Sequence, residues 1–202
     1  MKKFIAVAGN MGSGKSKLVE FLCSYYPLTP YYEQYENNPY LKDFYQDMKS
    51  WSFKSQIFFL TQKFKSHLKL VHVNNSVVQD RTIYEDAEIF ARNLYRSRLM
   101  KKKDFDTYYD LYTSLLDTLP SPDLLIYLRC SNRTIRKRIK YRGRPYEQNI
   151  KSRYLNRLNQ LYEDWIENYR LSEVAIIDTD QLDYIHNLVD MVDVRQVIEK
   201  YI

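Results

Sequence analysis

Apolar and polar positions alternate along the chain in two rhythms. Five short apolar runs stand out: Lys3–Ala8, bounded by glycine, and four that are apolar in the middle and end in polar residues, Leu28–Glu33 (LTPYYE), Ser76–Asp80 (SVVQD), Asp123–Arg129 (DLLIYLR) and Val174–Asp180 (VAIIDTD). Short apolar runs of this kind suit strands buried in a parallel sheet. Between them, apolar residues recur three and four apart, the spacing of an amphipathic helix. The segments are Lys15–Tyr25, through Leu18, Phe21 and Leu22, then Trp51–Val71, Ile83–Leu99, Asp104–Leu119, Glu147–Leu171 and Ile185–Ile202. A further helix runs to Tyr141, with Ser131 or Asn132 available as its cap. The alternation predicts an α/β fold: a five-stranded parallel sheet with helices on both faces, joined by right-handed crossovers. Ligands of such sheets gather at the carboxyl ends of the strands. Here the polar residues at those ends are Gly9, Glu33, Asp80, Arg81, Arg129 and Asp178.

Composition narrows the class. The 202 residues suit one globular domain, and no linker or repeat divides them. A formal charge of +6 favours anionic ligands and does not require a nucleic-acid partner. Cys23 and Cys130 have no metal-type spacing, which predicts reduced thiols in a cytoplasmic protein. The longest apolar runs, FIAVA and LLIYL, hold five residues each, against the ~20 that a membrane-spanning helix needs. The expectation is a soluble, unprocessed chain.

Three of the four glycines lie within six positions, in GNMGSGKS, directly after the first apolar run. Gly9, Asn10, Met11, Gly12, Ser13, Gly14, Lys15 and Ser16 match G-x-x-x-x-G-K-[ST] between a strand and a helix, the setting in which this turn cradles phosphates. Backbone N–H groups and the helix N-terminus face phosphate oxygens, Lys15 neutralises charge near the β and γ phosphates, and the Ser16 hydroxyl can ligate magnesium. ATP and Mg2+ are the expected ligands. Asp80 and Arg81, adjacent at a strand end, can serve the metal and a phosphoryl oxygen respectively. In RKRIKYRGRPYEQ, Arg138 and Arg142 share a helical face, and Arg144 follows the fourth glycine, Gly143. Clustered arginines call for a compensating anion, which suggests a lid over about residues 138–147 that closes on the phosphates. Asp178 is a further candidate nucleotide contact.

Glu33 ends a strand expected to lie next to the phosphate-turn strand and can take a proton from a substrate hydroxyl; Glu36 is a weaker competitor. A GTPase switch is disfavoured, because Asp-x-x-Gly and Asn-Lys-x-Asp are both missing.

These residues resemble the deoxynucleoside kinases. The resemblance rests on GNMGSGKS, Glu33, YQDMKSWSFKSQIFFL, QDRTIYEDAEIFARNLY and RIKYRGRPYEQ, and ENNPYLKDFYQD adds a likeness to the bacterial deoxyadenosine/deoxyguanosine branch. It implies a P-loop kinase fold of three layers with an Arg-rich lid, and a homodimer built through the helices after the second and third strands. It implies Glu33 as the base that activates the 5′-hydroxyl, with Arg81 holding phosphate and carboxylate and Asp80 serving magnesium. Gln56 then reads the base edge, Asp86 supports it, Phe90 stacks on the base, and Tyr45 and Glu147 hold the 3′-hydroxyl. At Lys63 the animal members carry an arginine that helps fix the base, and at Tyr146 the lid motif carries an acid. The implied reaction is ATP-dependent phosphorylation of deoxyadenosine, extending to deoxyguanosine and deoxycytidine, in nucleotide salvage. Two rivals remain: a thymidylate-type nucleoside monophosphate kinase, and a basic nucleic-acid-binding ATPase with steeply salt-dependent binding.

Overall fold

The computed structural model describes residues 2–33, 37–182 and 188–201. Glu36 and the start of the helix expected from Ile185 lie outside these residues. The five strands are β1 (Phe4–Ala8), β2 (Thr29–Tyr31), β3 (Val77–Asp80), β4 (Leu124–Arg129) and β5 (Glu173–Asp178). All pair in parallel, in the order β2-β3-β1-β4-β5. β1 lies at the centre, with Val7 opposite Asp80 on β3 and Ala8 opposite Tyr127 on β4. From β1 the chain crosses to β2, returns to β3 between β2 and β1, and then crosses to β4 on the other side of β1, so a crevice opens at the carboxyl end of β1. The strand before Glu33 is separated from β1 by β3 rather than adjacent to it.

Side chains alternate across the sheet and build the two flanking layers. Ile5, Val7, Ile126 and Leu128 pack with α1 (Lys15–Tyr25) and α9 (Leu188–Ile198) on one face. Ala6, Ala8, Leu125 and Tyr127 face α8 (Ser152–Glu167) on the other, through Leu155, Leu158 and Tyr162. Outside that layer, Leu60 of α3 (Met48–His72) meets Ile83 and Ala87, and Tyr108 and Tyr112 of α6 (Lys102–Leu116).

The structure redraws several expected helices. α3 starts earlier than its apolar spacing suggests because the Asp47 carboxylate caps it, accepting from Lys49 N and Ser50 N. A short helix, α2 (Leu41–Gln46), precedes it unannounced. The single helix expected over Ile83–Leu99 divides into α4 (Ile83–Glu85), a π-helix (Asp86–Ala91) and α5 (Arg92–Arg96). It then stops at Arg98, which is left-handed (φ 58°), while Leu99 N bonds back to Leu94 O at 2.8 Å. Ser131 caps α7 (Asn132–Arg142). Glu147 belongs to a separate 3-10 turn, Pro145–Glu147, and α8 begins only at Ser152. Among the described residues, no helix is long and apolar enough to cross a membrane.

Candidate active site

A cavity of about 680 Å³ opens beyond the carboxyl ends of β1 and β3. It gathers Met11, Gly12, Gly14, Lys15 and Ser16 with Asp80 and Arg81 from the end of β3, and with Glu33 from the chain beyond β2. Tyr45, Gln56, Asp86 and Phe90 line its inner part, and Arg138, Arg142, Arg144 and Glu147 close its outer part.

The phosphate turn follows from local sterics. Gly9 has φ 148°, and a Cβ there would lie 2.6 Å from Ser13 Oγ and 2.9 Å from Leu128 O, so only glycine lets the loop fold over β4. Gly14 (φ 107°) opens α1 at its N-terminus. Lys15 Nζ donates to Gly9 O at 2.8 Å and Asn10 O at 3.0 Å, curling over the turn. Burial, then the neighbouring Arg81 charge, lowers its pKa to about 8. Asn10 turns away from the cavity, donating to Leu155 O and Asn159 Oδ1 on α8. Gly9, Asn10 and Ser13 thus shape the loop without lining the cavity.

Arg81 donates through Nη1 to both oxygens of Glu33, at 3.1 and 3.0 Å, and its guanidinium lies 4.5 Å from the Phe90 ring centre. Burial alone would raise the Glu33 pKa, but the charges of Arg81, Lys63 and Lys15 outweigh it and hold the carboxyl down to about 2. The Arg81 backbone is left-handed (φ 61°), a conformation that costs a non-glycine residue about 1–2 kcal/mol. Lys63 Nζ donates to the carbonyls on both sides of this residue's α-carbon, Asp80 O at 3.1 Å and Arg81 O at 2.8 Å, and lies 3.8 Å from Glu33 Oε1.

Ser16 Oγ donates to Asp80 Oδ2 at 2.5 Å, and Asp80 Oδ1 is buried without a hydrogen-bond partner. A hydroxyl beside a carboxylate with an uncommitted oxygen is a donor set that suits magnesium. That ion is commonly held by one or two carboxylates together with substrate phosphates. Among the described residues, no cluster of three or more His, Cys, Asp or Glu forms a metal cage made of protein alone.

Toward the interior, Gln56 Oε1 and Asp86 Oδ2 are likewise buried with no hydrogen-bond partner. Burial, working against the Lys63 charge, pushes the Asp86 carboxyl up to about 7. Asp86 opens the π-helix and Phe90 lies within it; such helices are rare and recur at functional sites. At the mouth, Glu147 accepts from Arg142 Nη2 at 2.6 Å and Arg144 Nη1 at 3.3 Å, and Tyr45 stacks on Tyr146 with ring centres 5.5 Å apart. Arg138 is tied to the phosphate turn, donating to Ser13 O at 2.9 Å and Thr179 O at 2.7 Å.

Asp178 departs from expectation. It is exposed at the end of β5, where its carboxylate accepts from Asp180 N at 2.9 Å, and it does not line the cavity. Its part is to shape the turn after the strand. Sequence reasoning missed Glu85, which is fully buried. Its Oε1 accepts from Gly9 N at 3.2 Å and from Tyr162 OH at 2.8 Å, and its Oε2 accepts from Thr82 N at 2.9 Å. The signal was present: Thr82-Ile83-Tyr84-Glu85 has the T-x-x-E spacing of a capping box, and its Glu85 arm forms. Phe44, Phe59 and Tyr154 also line the cavity, unnoticed among 20 Tyr and 9 Phe.

The central parallel sheet, its flanking helices and the glycine turn leading into α1 define a P-loop kinase fold. Residues 5–202 match the family described as Deoxynucleoside kinase. The chain is 37% identical to a deoxyguanosine kinase of Lactobacillus acidophilus, over 97% of this chain and 90% of the relative. It is 36% identical to a deoxyadenosine/deoxycytidine kinase of Bacillus subtilis, over 93% and 90% respectively. A solved structure of deoxyadenosine kinase from M. mycoides with bound dCTP superposes with a TM-score of 0.84 at 32% identity, covering 98% of this chain and 99% of that one. The chain belongs to the deoxynucleoside kinase family, and its activity is that of a nucleoside kinase.

Proposed function

We propose that the enzyme transfers the γ-phosphoryl group of ATP to the 5′-hydroxyl of deoxyadenosine, and to deoxyguanosine and deoxycytidine as secondary acceptors, in nucleotide salvage. The observation that carries this reading is the Glu33 carboxylate: it is kept ionised by Arg81 and lines the same cavity as Gly14 and Lys15. Glu33 takes the hydroxyl proton as the new O–P bond forms. Arg81, which already spans both Glu33 oxygens, presents its remaining N–H groups to the phosphoryl oxygens. Lys15 and the arginines at 138, 142 and 144 stabilise the charge on the transferred group. Ser16 and Asp80 would hold magnesium, which neutralises phosphate charge when bound.

On the acceptor side, the amide of Gln56 meets the base edge, with Asp86 beside it and the Phe90 ring against the base plane. Tyr45 and Glu147 take the 3′-hydroxyl. Relatives named deoxyguanosine, deoxyadenosine and deoxyadenosine/deoxycytidine kinases support this acceptor class. The reading also treats the chain as one domain and includes a homodimer through the outer face of α3, where half-buried Phe53, Ile57 and Phe58 surround a shallow apolar hollow. It places the enzyme in the cytoplasm, in keeping with the unpaired thiols of Cys23 and Cys130.

The test is a panel of deoxyadenosine, deoxyguanosine, deoxycytidine, thymidine and their 5′-monophosphates with γ-labelled ATP. Labelled deoxyadenosine monophosphate as the fastest product supports the reading. Label entering only the monophosphates would instead mark a nucleoside monophosphate kinase.

A further inference from the structure

Lys63 lies on the buried face of α3, in the series Gln56, Leu60, Lys63, His67 and Leu70 that recurs every three or four residues. Its side chain is only 7% exposed. Lysine is seldom buried so deeply unless its charge is fully engaged. Three acceptors surround the ammonium: Asp80 O at 3.1 Å, Arg81 O at 2.8 Å and Glu33 Oε1 at 3.8 Å. None is a base-reading group. Asp86, the partner expected from the family resemblance, keeps Oδ2 without a hydrogen bond.

The two carbonyls reveal what the ammonium does. In an extended strand, successive carbonyls point to opposite sides, so one ammonium cannot reach both. The left-handed Arg81 (φ 61°) turns its carbonyl to the side of Asp80 O, and only then can both point at Lys63. That same turn ends the β3 ladder, where Arg81 N bonds to Val7 O at 3.0 Å, and sends the guanidinium across to Glu33. An ammonium with three donors in a tripod fits two carbonyls and a nearby carboxylate, whereas the planar fork of arginine is built for a flat partner.

We propose that Lys63 is a positioning residue for phosphoryl transfer: its ammonium locks the left-handed Arg81 turn and so aligns the Arg81–Glu33 pair. The inference rests on reading Glu33 as the group that meets the substrate hydroxyl. Lys63 itself touches backbone and Glu33, not substrate, and its effect reaches the reaction through Arg81.

The test compares Lys63→Met, Lys63→Arg, Glu33→Gln and the double variant Lys63→Met/Glu33→Gln in steady-state phosphorylation of deoxyadenosine, deoxyguanosine and deoxycytidine. Misplacing a reacting group by about 1 Å can cost roughly 10²-fold, so Lys63→Met is expected to lower kcat by about that factor for all three nucleosides alike. KM should move by less than about 3-fold. Lys63→Arg keeps the charge and N–H donors, though in a planar fork, and should recover part of the loss. In the double variant, Lys63→Met should add little to Glu33→Gln, because residues acting as one unit are strongly non-additive. If Lys63→Met does not fold, Lys63→Gln, which is uncharged and one atom too short to bridge the two carbonyls as the ammonium does, carries the same comparison.

Unchanged turnover in Lys63→Met, or losses that multiply in the double variant, would each overturn the proposal. Failure of the Glu33 reading shows separately, as near-normal turnover in Glu33→Gln alone. That result also removes the group Lys63 is said to align.

Discussion

Arg142 and Glu147 lie 2.6 Å apart across the turn that leaves α7, so the carboxylate assigned to the sugar is held by an arginine assigned to the phosphates. Arg144 adds a second contact to the same carboxylate at 3.3 Å. This pull accounts for the break between Glu147 and α8: the carboxylate is turned inward and almost fully buried, and the helix resumes only at Ser152. In the proposed binding mode Glu147 also accepts from the 3′-hydroxyl. A hydrogen bond to a charged group contributes about 1.5–3 kcal/mol, so Glu147→Gln is expected to lower kcat/KM for deoxyadenosine roughly 10–100-fold. A 2′,3′-dideoxynucleoside lacks the hydroxyl and should lose far less. Equal losses for the two acceptors would place Glu147 in the lid alone.

Glu33 is held ionised far into acid. Replacing it with glutamine keeps its shape and its hydrogen bonding to Arg81 in part, but removes the proton acceptor. Turnover should fall about 10²–10⁴-fold, with ATP affinity, measured by titration, close to that of the wild type. The pH dependence has a definite sign. The folded pKa of about 2 lies below the ordinary 4.5. The stability this group contributes is therefore full above about pH 4.5 and is lost as pH falls toward 2. Thermal melts between pH 6 and pH 3 should show Glu33→Gln losing less stability than the wild type across that range.

Much of this arrangement was legible in the sequence, for identifiable reasons. A buried parallel strand must be a short apolar run with polar ends, so all five strands were placed to within a few residues at each end. The phosphate turn was legible because close backbone approach at Gly9 and Gly14 admits few other residues. What escaped depends on contacts between distant segments. The resemblance sets Lys63 where animal members carry a base-fixing arginine, and only the left-handed turn at Arg81 reveals what Lys63 bonds. The π-helix leaves no mark on apolar spacing, since its buried residues continue the pattern of α4 and α5. Asp178 shared the polar strand-end signature of Asp80, yet β5 is an edge strand away from the crevice.

Asp86 combines burial with an uncommitted oxygen, and its carboxyl is pushed up to about 7 from 3.8. Here the sign is opposite to that of Glu33. Between those two values the folded state holds a proton that the unfolded chain has released, so stability declines as pH rises through this window. The penalty is complete above about pH 7. Asp86→Asn removes the ionisation, and its melting temperature relative to the wild type should be higher at pH 8 than at pH 5. A difference that stays constant between the two pH values would show that Asp86 ionises at its ordinary pH in the folded enzyme. The same variant should alter the ranking of deoxyadenosine against deoxyguanosine, because an amide carries donors at every pH whereas the carboxyl donates only while protonated.

Glu85 offers the sharpest separation between holding the site together and taking part in the reaction. Its carboxylate is fully buried and receives Gly9 N, Thr82 N and Tyr162 OH, joining the phosphate turn, the start of α4 and α8. Burial raises its pKa, opposed by the Arg81 and Lys15 charges and by the donors around it. Glu85→Ala strands those three donors in a dry interior and leaves Arg81 with one counter-charge fewer. Breaking a buried charged network of this kind costs about 3–5 kcal/mol, or a fall in melting temperature of roughly 6–20 °C for a chain of this size. Glu85→Gln retains the volume but turns an N–H2 toward one of the donors, so it should fall between Glu85→Ala and the wild type. Since Gly9 N loses its acceptor in Glu85→Ala, ATP binding measured below the melting transition should weaken as well, whereas Glu33→Gln leaves it intact. A melting temperature within about 2 °C of the wild type would show that the three donors find other partners and that the phosphate turn does not depend on this carboxylate.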